Sequence, residues 1–158
     1  MRTPSYYFDL AGTSRDPSVL RELAGSEYPF VRQAVAANPC TRADALFALA
    51  ARCRDVPAEH GPWNANALLL LLAGHPAADR PTLLAVLDAT AARLAAAARP
   101  YAAVLALAGR PELRPAELLP LGRLPGASAR LRSGLHRTLV GRGPGRDQPT
   151  ASISRSTP

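Results

Sequence analysis

The chain contains no lysine, a single isoleucine and few aromatic residues, which make up 5% of its 158 positions. Alanine and leucine dominate instead, with 32 and 24 residues against seven valines. Because alanine and leucine favour helices whereas β-branched and aromatic side chains favour strands, this composition argues against a sheet and predicts an all-α protein. A chain of this length has room for one domain with a buried core.

Long hydrophobic runs are also missing. No apolar run exceeds eight residues, so runs such as residues 67–73 are far too short to cross a bilayer, and the N-terminus lacks an apolar targeting segment. We therefore expect a soluble, cytoplasmic protein without a membrane partner. The two cysteines, Cys40 and Cys53, are too few for a disulfide framework or a cysteine-based metal site, and we expect both thiols to be buried.

Catalytic signatures are absent as well: the sequence has no P-loop, no HExxH, no GxSxG and no GxGxxG that follows a strand. The glycine-rich stretch 141–146 lies in a segment with little to bury, and we interpret it as a flexible linker. Cys53 and His60 could form a nucleophile–base pair, but a solvated loop around His60 is the simpler interpretation. We expect a protein without catalysis and without a cofactor.

The positive charge is concentrated at the C-terminal end. All 19 basic residues are arginine; residues 1–121 carry 12 of them with 11 acids, whereas residues 122–158 carry seven with one acid, Asp147. In this second part, apolar residues recur at steps of three and four between the arginines, which predicts a basic amphipathic helix over residues 125–140. We expect this helix to cap the chain by docking against Leu118, Leu119 and Leu121, with its arginines pointing outward.

A pattern of turn and helix recurs four times between residues 10 and 121. Each copy starts just after an Ala-Gly or Ala-Asn step, with one intervening residue in the last two copies, at Thr13, Pro39, Pro76 and Pro111. A leucine stands seven residues after each start and a second aliphatic residue three further on, which gives Leu20 with Leu23, Leu46 with Leu49, Leu83 with Val86, and Leu118 with Leu121. A fixed offset inside units of variable spacing is typical of stacked helical pairs.

The segment 31–50, VRQAVAANPCTRADALFALA, resembles the unit of the leucine-rich repeat variant family. The matching residues are Val31-Arg32, Ala34, Ala36-Ala37, Asn38-Pro39, Leu46 and Leu49-Ala50. The resemblance covers residues 10–51 well, whereas residues 66–121 are closer to HEAT-type helical pairs. It implies alternating α and 3₁₀ helices in a right-handed superhelix that serves as a binding scaffold. The family's founding example binds an iron–sulfur cluster through an N-terminal cysteine cluster, which this sequence lacks, so no cofactor is implied.

Local signals predict where helices begin. Asp16, Thr41 and Asn64 each precede a helical pattern and are expected to act as N-caps. Trp63 is interpreted as a plug beneath a loop, and residues 81–99 are expected to form the longest helix.

Together these signals predict a right-handed α-solenoid of about four imperfect helical-pair repeats. Residues 1–9 are expected to form an N-terminal cap, residues 10–121 the helical repeat domain, residues 122–140 the basic capping helix and residues 141–158 a disordered tail.

Helical repeats predict a non-catalytic scaffold that binds another protein, and the basic end suits a partner with an acidic segment. The alternative is binding of nucleic acid or another polyanion through the basic C-terminal helix. The candidate binding residues are arginines, with Arg123, Arg130, Arg132 and Arg137 in the basic segment and Arg32, Arg110 and Arg114 near the repeat turns. Acidic residues beside the turn arginines favour a salt-bridged edge there over a track for phosphates.

Overall fold

The computed structural model describes residues 3–55 and 62–142. In these ranges the chain is all-helical, as predicted, and contains no strand. The helices are α1 (Pro4–Thr13), α2 (Pro17–Ala24), α3 (Pro29–Ala37), α4 (Ala43–Asp55), α5 (Pro62–Gly74), α6 (Arg80–Ala95), α7 (Tyr101–Ala108), α8 (Pro115–Leu118), a 3₁₀ helix (Leu119–Arg123) and α9 (Ala129–Gly141). Among the described residues, no helix combines the length and hydrophobicity that a bilayer span requires.

The helices pack in two rows. The odd row consists of α1, α3, α5, α7 and α9, each of which contacts the next in that order. The even row consists of α2, α4 and α6, which also contact one another in order, and it continues with α8 and the 3₁₀ helix, since Arg80 of α6 pairs with Glu117 of α8 at 2.6 Å. Helices that follow each other in the chain pack across the rows, so the core lies between them.

The leucines at the fixed offset all lie in this core. Leu20, Leu46, Leu83 and Leu118 are fully buried, and the residues three positions later, Leu23, Leu49, Val86 and Leu121, are buried too. A spacing of three places both members of each pair on the same side of their helix. All eight belong to one continuous core cluster, which confirms the prediction drawn from the offset.

Truncation of these leucines is expected to destabilise the chain. Leu46→Ala and Leu118→Ala should each lower the free energy of unfolding by about 2–5 kcal/mol, because each removes buried methyl groups and leaves a cavity. Leu119→Ala is the matched control, since Leu119 adjoins Leu118 but is half exposed. Urea denaturation measures all three; unchanged stability in both buried variants would contradict the core assignment.

The predicted helix starts hold only in part. The Asp16 carboxylate accepts a hydrogen bond from the first turn of α2 at 2.8 Å and caps that helix, as predicted. Thr41 does not cap α4, because its hydroxyl donates to the carbonyl of Val35 at 2.6 Å and closes α3 instead. Asn64 is not a cap either, since α5 already begins at Pro62. Proline suits the first turn, because it has no N–H there that would need a partner.

Four further differences concern individual segments and residues. The predicted lead-in is mostly part of α1, which packs on α3. The longest helix ends at Ala95 rather than 99, and Ala97 follows it with a left-handed φ of 58°. Trp63 is 83% exposed and plugs nothing. Residues 10–51 form only α-helices, and the 3₁₀ helix implied by the family resemblance occurs instead at Leu119–Arg123.

Asn38 begins a series of hydrogen bonds between the turns that follow the odd-row helices. It is buried directly after α3, and its Nδ2 group donates to the carbonyls of Ala11 and Ser14, at 2.8 and 2.9 Å, at the end of α1. Its Oδ1 atom accepts from the N–H of Cys40 at 2.9 Å, which turns the chain toward α4. An amide side chain supplies both the donors and the acceptor that this position uses.

His75 occupies the corresponding place after α5. Its Nε2 atom lies 3.0 Å from the carbonyl oxygen of Asn38, and its Nδ1 atom lies 3.0 Å from the backbone nitrogen of Ala77. Because the Ala77 N–H can only donate, Nδ1 accepts, and Nε2 donates its proton to the Asn38 carbonyl. The turn after α5 is therefore bonded to the turn after α3.

Two arginines continue the series. Arg110, after α7, donates to the carbonyls of His75 and Ala78 at 3.1 and 2.9 Å. Arg142, after α9, donates to three carbonyls around the turn after α7, those of Ala108 (3.2 Å), Leu113 (2.8 Å) and Arg110. We call Asn38, His75, Arg110 and Arg142 the turn ladder; its members are separated by 37, 35 and 32 residues. Each bonds carbonyls of the preceding turn that the helices themselves leave unpaired.

Substitution of Asn38 tests the direction of these bonds. Asn38→Ala is expected to cost about 1–3 kcal/mol, since two carbonyls lose their buried donor. Asn38→Asp should cost more at neutral pH, because it places a charged acceptor against the same two oxygens. Asn64→Asp is the matched control, as Asn64 is exposed in the first turn of α5, where a carboxylate is tolerated. Wild-type stability of Asn38→Asp in urea would contradict the assignment.

Arg142 also moves the end of the folded segment. The basic capping helix was predicted to end at 140, with the tail starting at 141, whereas α9 continues to Gly141 and Arg142 belongs to the turn ladder. A glycine followed by an arginine in a polar stretch gave no sign of this role, because the carbonyls that Arg142 bonds come from distant residues. The disordered tail stays a prediction for residues 143–158, which lie outside the described residues.

Arg142→Ala is therefore expected to destabilise the full chain by about 1–3 kcal/mol, since three carbonyls lose a charged donor. Arg137→Ala is the matched control, because Arg137 is exposed on the same helix. A chain ending at residue 143 should melt together with the full chain, and a chain ending at residue 141 should melt earlier. Equal melting temperatures for these two truncated chains would show that the Arg142 bonds do not stabilise the fold.

Candidate partner-binding cleft

Two of the three arginines predicted near the repeat turns, Arg110 and Arg114, are engaged within the chain. Arg110 is half-buried, belongs to the turn ladder and pairs with Glu112 at 2.9 Å. Arg114 pairs with Glu117 at 3.2 Å. The hydrogen bond from Arg80, together with bonds from the backbone and side chain of Arg114, lowers the pKa of Glu117 to about 2. This region is a salt-bridged edge, and its arginines offer little to an outside anion.

Arg32, the remaining turn arginine, is half-buried on α3 within electrostatic reach of Arg52 and Cys53. Burial and the charge of Arg52 lower the pKa of Arg32. Burial raises the pKa of the Cys53 thiol to about 11, which keeps the thiolate scarce at neutral pH. Cys40 is exposed, so the expectation of two buried thiols is wrong for it. His60, the imagined base beside Cys53, lies outside the described residues.

The basic segment is held in place by the loop before α9. The N–H of Gly126 donates to the carbonyl of Leu94 at 2.8 Å, and the hydroxyl of Tyr101 donates to the carbonyl of Gly126 at 2.8 Å. A Cβ at position 126 would lie 2.7 Å from the carbonyl oxygens of Leu94 and Ala98, so only glycine fits there. The loop is thereby fixed between the end of α6 and the start of α7, and it determines where α9 begins.

The capping helix docks where it was predicted to, with two corrections. α9 begins at Ala129 with Ser128 as its N-cap, later than the predicted residue 125, because the intervening residues form the docked loop. It packs on α7 and the 3₁₀ helix and buries Leu131 and Leu135. Leu119, one of the residues expected beneath it, remains 50% exposed.

A cleft of about 600 Å³ opens between the 3₁₀ helix and α9. We call it the basic cleft. It is lined by Leu119, Gly122 and Arg123 of the 3₁₀ helix and by Arg132, Ser133, Leu135, His136 and Arg137 of α9. Three of the four arginines predicted on the basic segment meet here, and the fourth, Arg130, is exposed on α9 outside the cleft.

The electrostatics of the basic cleft are one-sided. No carboxylate lines it, and within residues 3–55 and 62–142 none of Arg123, Arg132 and Arg137 takes part in an ion pair. Arg132 donates to the carbonyl of Ala127 at 2.8 Å, which holds its side chain beside the cleft. An anion bound here is flanked by guanidinium groups, and because the cleft is open to solvent, this attraction weakens as the salt concentration rises.

The basic cleft also offers apolar surface. Leu135 is buried at its base, and Leu119 is half exposed on the opposite wall. A segment that carries both a carboxylate and an apolar side chain can use both surfaces, whereas a phosphate uses only the arginines. The arrangement favours a peptide over a simple anion.

Leu119, Ser133 and His136 line the cleft but were not among the predicted binding residues. Helical spacing could have indicated Ser133 and His136. His136 stands four residues after Arg132, and Ser133 four residues before Arg137, so each shares a side of α9 with a predicted arginine. Leu119 had no such signal, since its position depends on how the 3₁₀ helix packs against α9.

A second concave surface lies at the other end of the odd row. Phe30 packs beside Phe8 and Tyr28, with ring centroids 6.1 and 5.5 Å apart. A groove of about 380 Å³ runs from Phe8 and Phe30 to Leu71, across α1, α3 and α5. No charged side chain lines this groove, so nothing in it selects a class of ligand.

Comparisons with known protein families, with curated proteins and with solved structures give no match. The resemblance of residues 31–50 to the leucine-rich repeat variant unit therefore stays a prediction, and function must be inferred from the chain's own surfaces.

Proposed function

We propose that this chain is a non-catalytic helical-repeat scaffold whose basic cleft binds an acidic segment of another protein. The observation that carries the proposal is the cleft itself, in which three arginines without a carboxylate border an apolar floor. Hydrogen bonds between guanidinium groups and carboxylates are among the strongest polar contacts, and the apolar floor adds affinity for an aliphatic side chain.

The scaffold part of the proposal is a right-handed α-solenoid of imperfect helical pairs. Two observations support it: the helices of each row contact one another in chain order, and the turn ladder repeats one kind of bond from pair to pair. Because Arg142 is a member of the ladder, α9 corresponds to the first helix of a fifth pair rather than to a separate cap. In such a stack each pair contacts only its neighbours, and the terminal unit keeps an uncovered face.

Binding of nucleic acid or another polyanion is the second candidate. One observation favours it: residues 122–142 contain five arginines and no acid. Against it, Arg110 and Arg114 are paired with carboxylates, so these turn arginines do not extend the basic cleft into a longer basic track. A nucleic-acid backbone gains affinity from basic contacts spread over several phosphates, which a single cleft does not offer.

Arginine substitutions test the proposal. We expect Arg123→Ser combined with Arg137→Ser to weaken binding of a fluorescent peptide rich in Glu and Leu by at least about tenfold, which is about 1.4 kcal/mol. Arg130→Ser is the matched control, because it removes the same charge from the same helix outside the basic cleft. Its effect should stay within about twofold. Fluorescence anisotropy measures affinity, and thermal melts should show little change because these arginines are exposed.

Duplex DNA in the same assay tests the second candidate. Release of about four counterions would give a log–log salt slope of about −3.6. If DNA binds more tightly than the peptide and Arg130→Ser weakens it as much as the cleft substitutions do, polyanion binding replaces the proposal. If the peptide does not bind, the proposed function is wrong.

A further inference from the structure

The odd-row helices before α9 bury the same side against the even row. The side is defined by the residues two and three positions before each turn-ladder residue. On α3, α5 and α7 these residues are Ala36 and Val35, Ala73 and Leu72, and Ala108 and Leu107, and all six are buried. The position six before the ladder residue is also fully buried on two of these helices, as Leu69 and Val104.

The same side of α9 is uncovered. Two residues before Arg142 stands Val140, which is 65% exposed, and Leu139 beside it is only partly buried. Six residues before Arg142 stands His136, which is exposed. Ser133, His136 and Val140 follow one another at helical steps of three and four, so they form one stripe along α9.

This stripe borders the basic cleft. Ser133 and His136 line it on one side, and the 3₁₀ helix, the last member of the even row, forms the other side. Two pairs earlier, α6 occupies the corresponding space, since it contacts the preceding even-row helix α4 and the preceding odd-row helix α5. The basic cleft therefore lies where the second helix of a fifth pair would pack, and no helix within residues 3–55 and 62–142 fills it.

Ion pairs along the even row indicate the charge of the missing helix. Arg21 of α2 pairs with Asp44 of α4 at 3.0 Å, Arg54 of α4 with Asp88 of α6 at 2.6 Å, and Arg80 of α6 with Glu117 of α8 at 2.6 Å. At every step the arginine lies on the earlier helix and the acid on the later one. Arg123 is the corresponding basic residue of the 3₁₀ helix. We therefore expect the next even-row helix to place an acidic residue against Arg123.

Residues 143–158, which follow α9 in the chain, match the second helix of a fifth pair poorly in sequence. Asp147-Gln148-Pro149-Thr150 resembles Asp79-Arg80-Pro81-Thr82 at the start of α6, yet the positions of Leu83 and Val86 then hold Ala151 and Ser154. Residues 143–158 also carry two arginines against one acid, which is the sign of the cleft itself. Such a segment supplies only one side-chain carboxylate, Asp147, and one large apolar side chain, Ile153, for a cleft that presents three arginines.

We propose that the occupant is an amphipathic α-helix of a partner protein, with acidic residues beside an apolar stripe, that docks as the second helix of the fifth pair. The inference rests on the proposed function and adds the form of the acidic segment. The helix covers Val140 and Leu119 with its apolar side chains and pairs its carboxylates with Arg123, Arg132 and Arg137.

Two peptides of identical composition test the form of the segment. The first places leucines at steps of three and four with glutamates beside them, and the second permutes the same residues so that no helical stripe remains. With the full chain we expect the first to bind at least tenfold more tightly and to gain helical circular dichroism on binding. Val140→Asp should weaken binding of the first peptide at least tenfold. Val140 lies on the uncovered stripe, so a carboxylate there would meet the apolar side of a helix that spans it.

The outcomes separate this inference from the proposed function. If both peptides bind equally, lose affinity with Arg123→Ser and Arg137→Ser, and gain no helix, the acidic-segment proposal stands and the helix inference is wrong. If neither peptide binds the full chain or a chain ending at residue 143, both are wrong. If the peptide binds only the truncated chain, residues 143–158 are the occupant, which overturns the partner helix.

Discussion

The hydrogen bonds between successive turns determine how each helical pair sits on the one before it. The contact surfaces between the helices are largely alanine and leucine, and apolar burial of this kind is strong but has little directional preference. The turn ladder supplies the direction. Asn38 must meet two carbonyls at once, and a buried polar group left without its partner costs about 1–3 kcal/mol, so a shift of one pair against the next is penalised. The register of the stack therefore depends on these few polar side chains.

The ion pairs of the even row repeat as regularly but act differently. Arg21 with Asp44 and Arg54 with Asp88 are each about half exposed or more, and pairs of that kind contribute only about 0–1 kcal/mol. These ion pairs give the even row a direction. The arginine always lies on the earlier helix and the acid on the later one, so the two ends of the row differ in the charge that they present. In the part of the chain that the structure describes, Arg123 of the 3₁₀ helix, at the end of this row, takes part in no ion pair.

Those parts of the fold that depend on local chemistry could be predicted from the sequence. The break at Asn38-Pro39 follows from the missing N–H of proline, and burial of Leu46 and its counterparts follows from helical spacing. What could not be predicted depends on distant partners. Thr41 has an ordinary capping side chain, but packing offers it the Val35 carbonyl instead. The turn-ladder residues are an asparagine, a histidine and two arginines, so no common residue type marked them as equivalent.

The candidate site was predictable as a charged region but not as a cleft. The excess of arginine after residue 121 is visible in composition, and the outward direction of Arg123, Arg130, Arg132 and Arg137 follows from the leucines between them. Which arginines converge depends on the docked loop, where Gly126 fits against the end of α6 because it lacks a Cβ. Arg130 falls outside the cleft for that reason, although its sequence context is like that of Arg132.

The binding site that we propose at the end of the helix rows follows from how contacts inside the rows are used. Each interior helical pair has neighbours on both sides, which contact its turn carbonyls, its apolar side and its arginines. Arg110 bonds the carbonyl of His75 in the preceding turn, and Arg80 pairs with Glu117 of the following even-row helix. Within residues 3–55 and 62–142, the last unit leaves Val140 exposed and Arg123 without an ion pair. Two of the three interior steps also show what a ligand must bring, since the acid lies two residues before Leu46 in α4 and five after Leu83 in α6, positions two helical turns apart and hence on one side. A partner helix that carries its acid on that side of its leucines would form the contacts that α4 and α6 form within the chain, and specificity would come from that register rather than from charge alone.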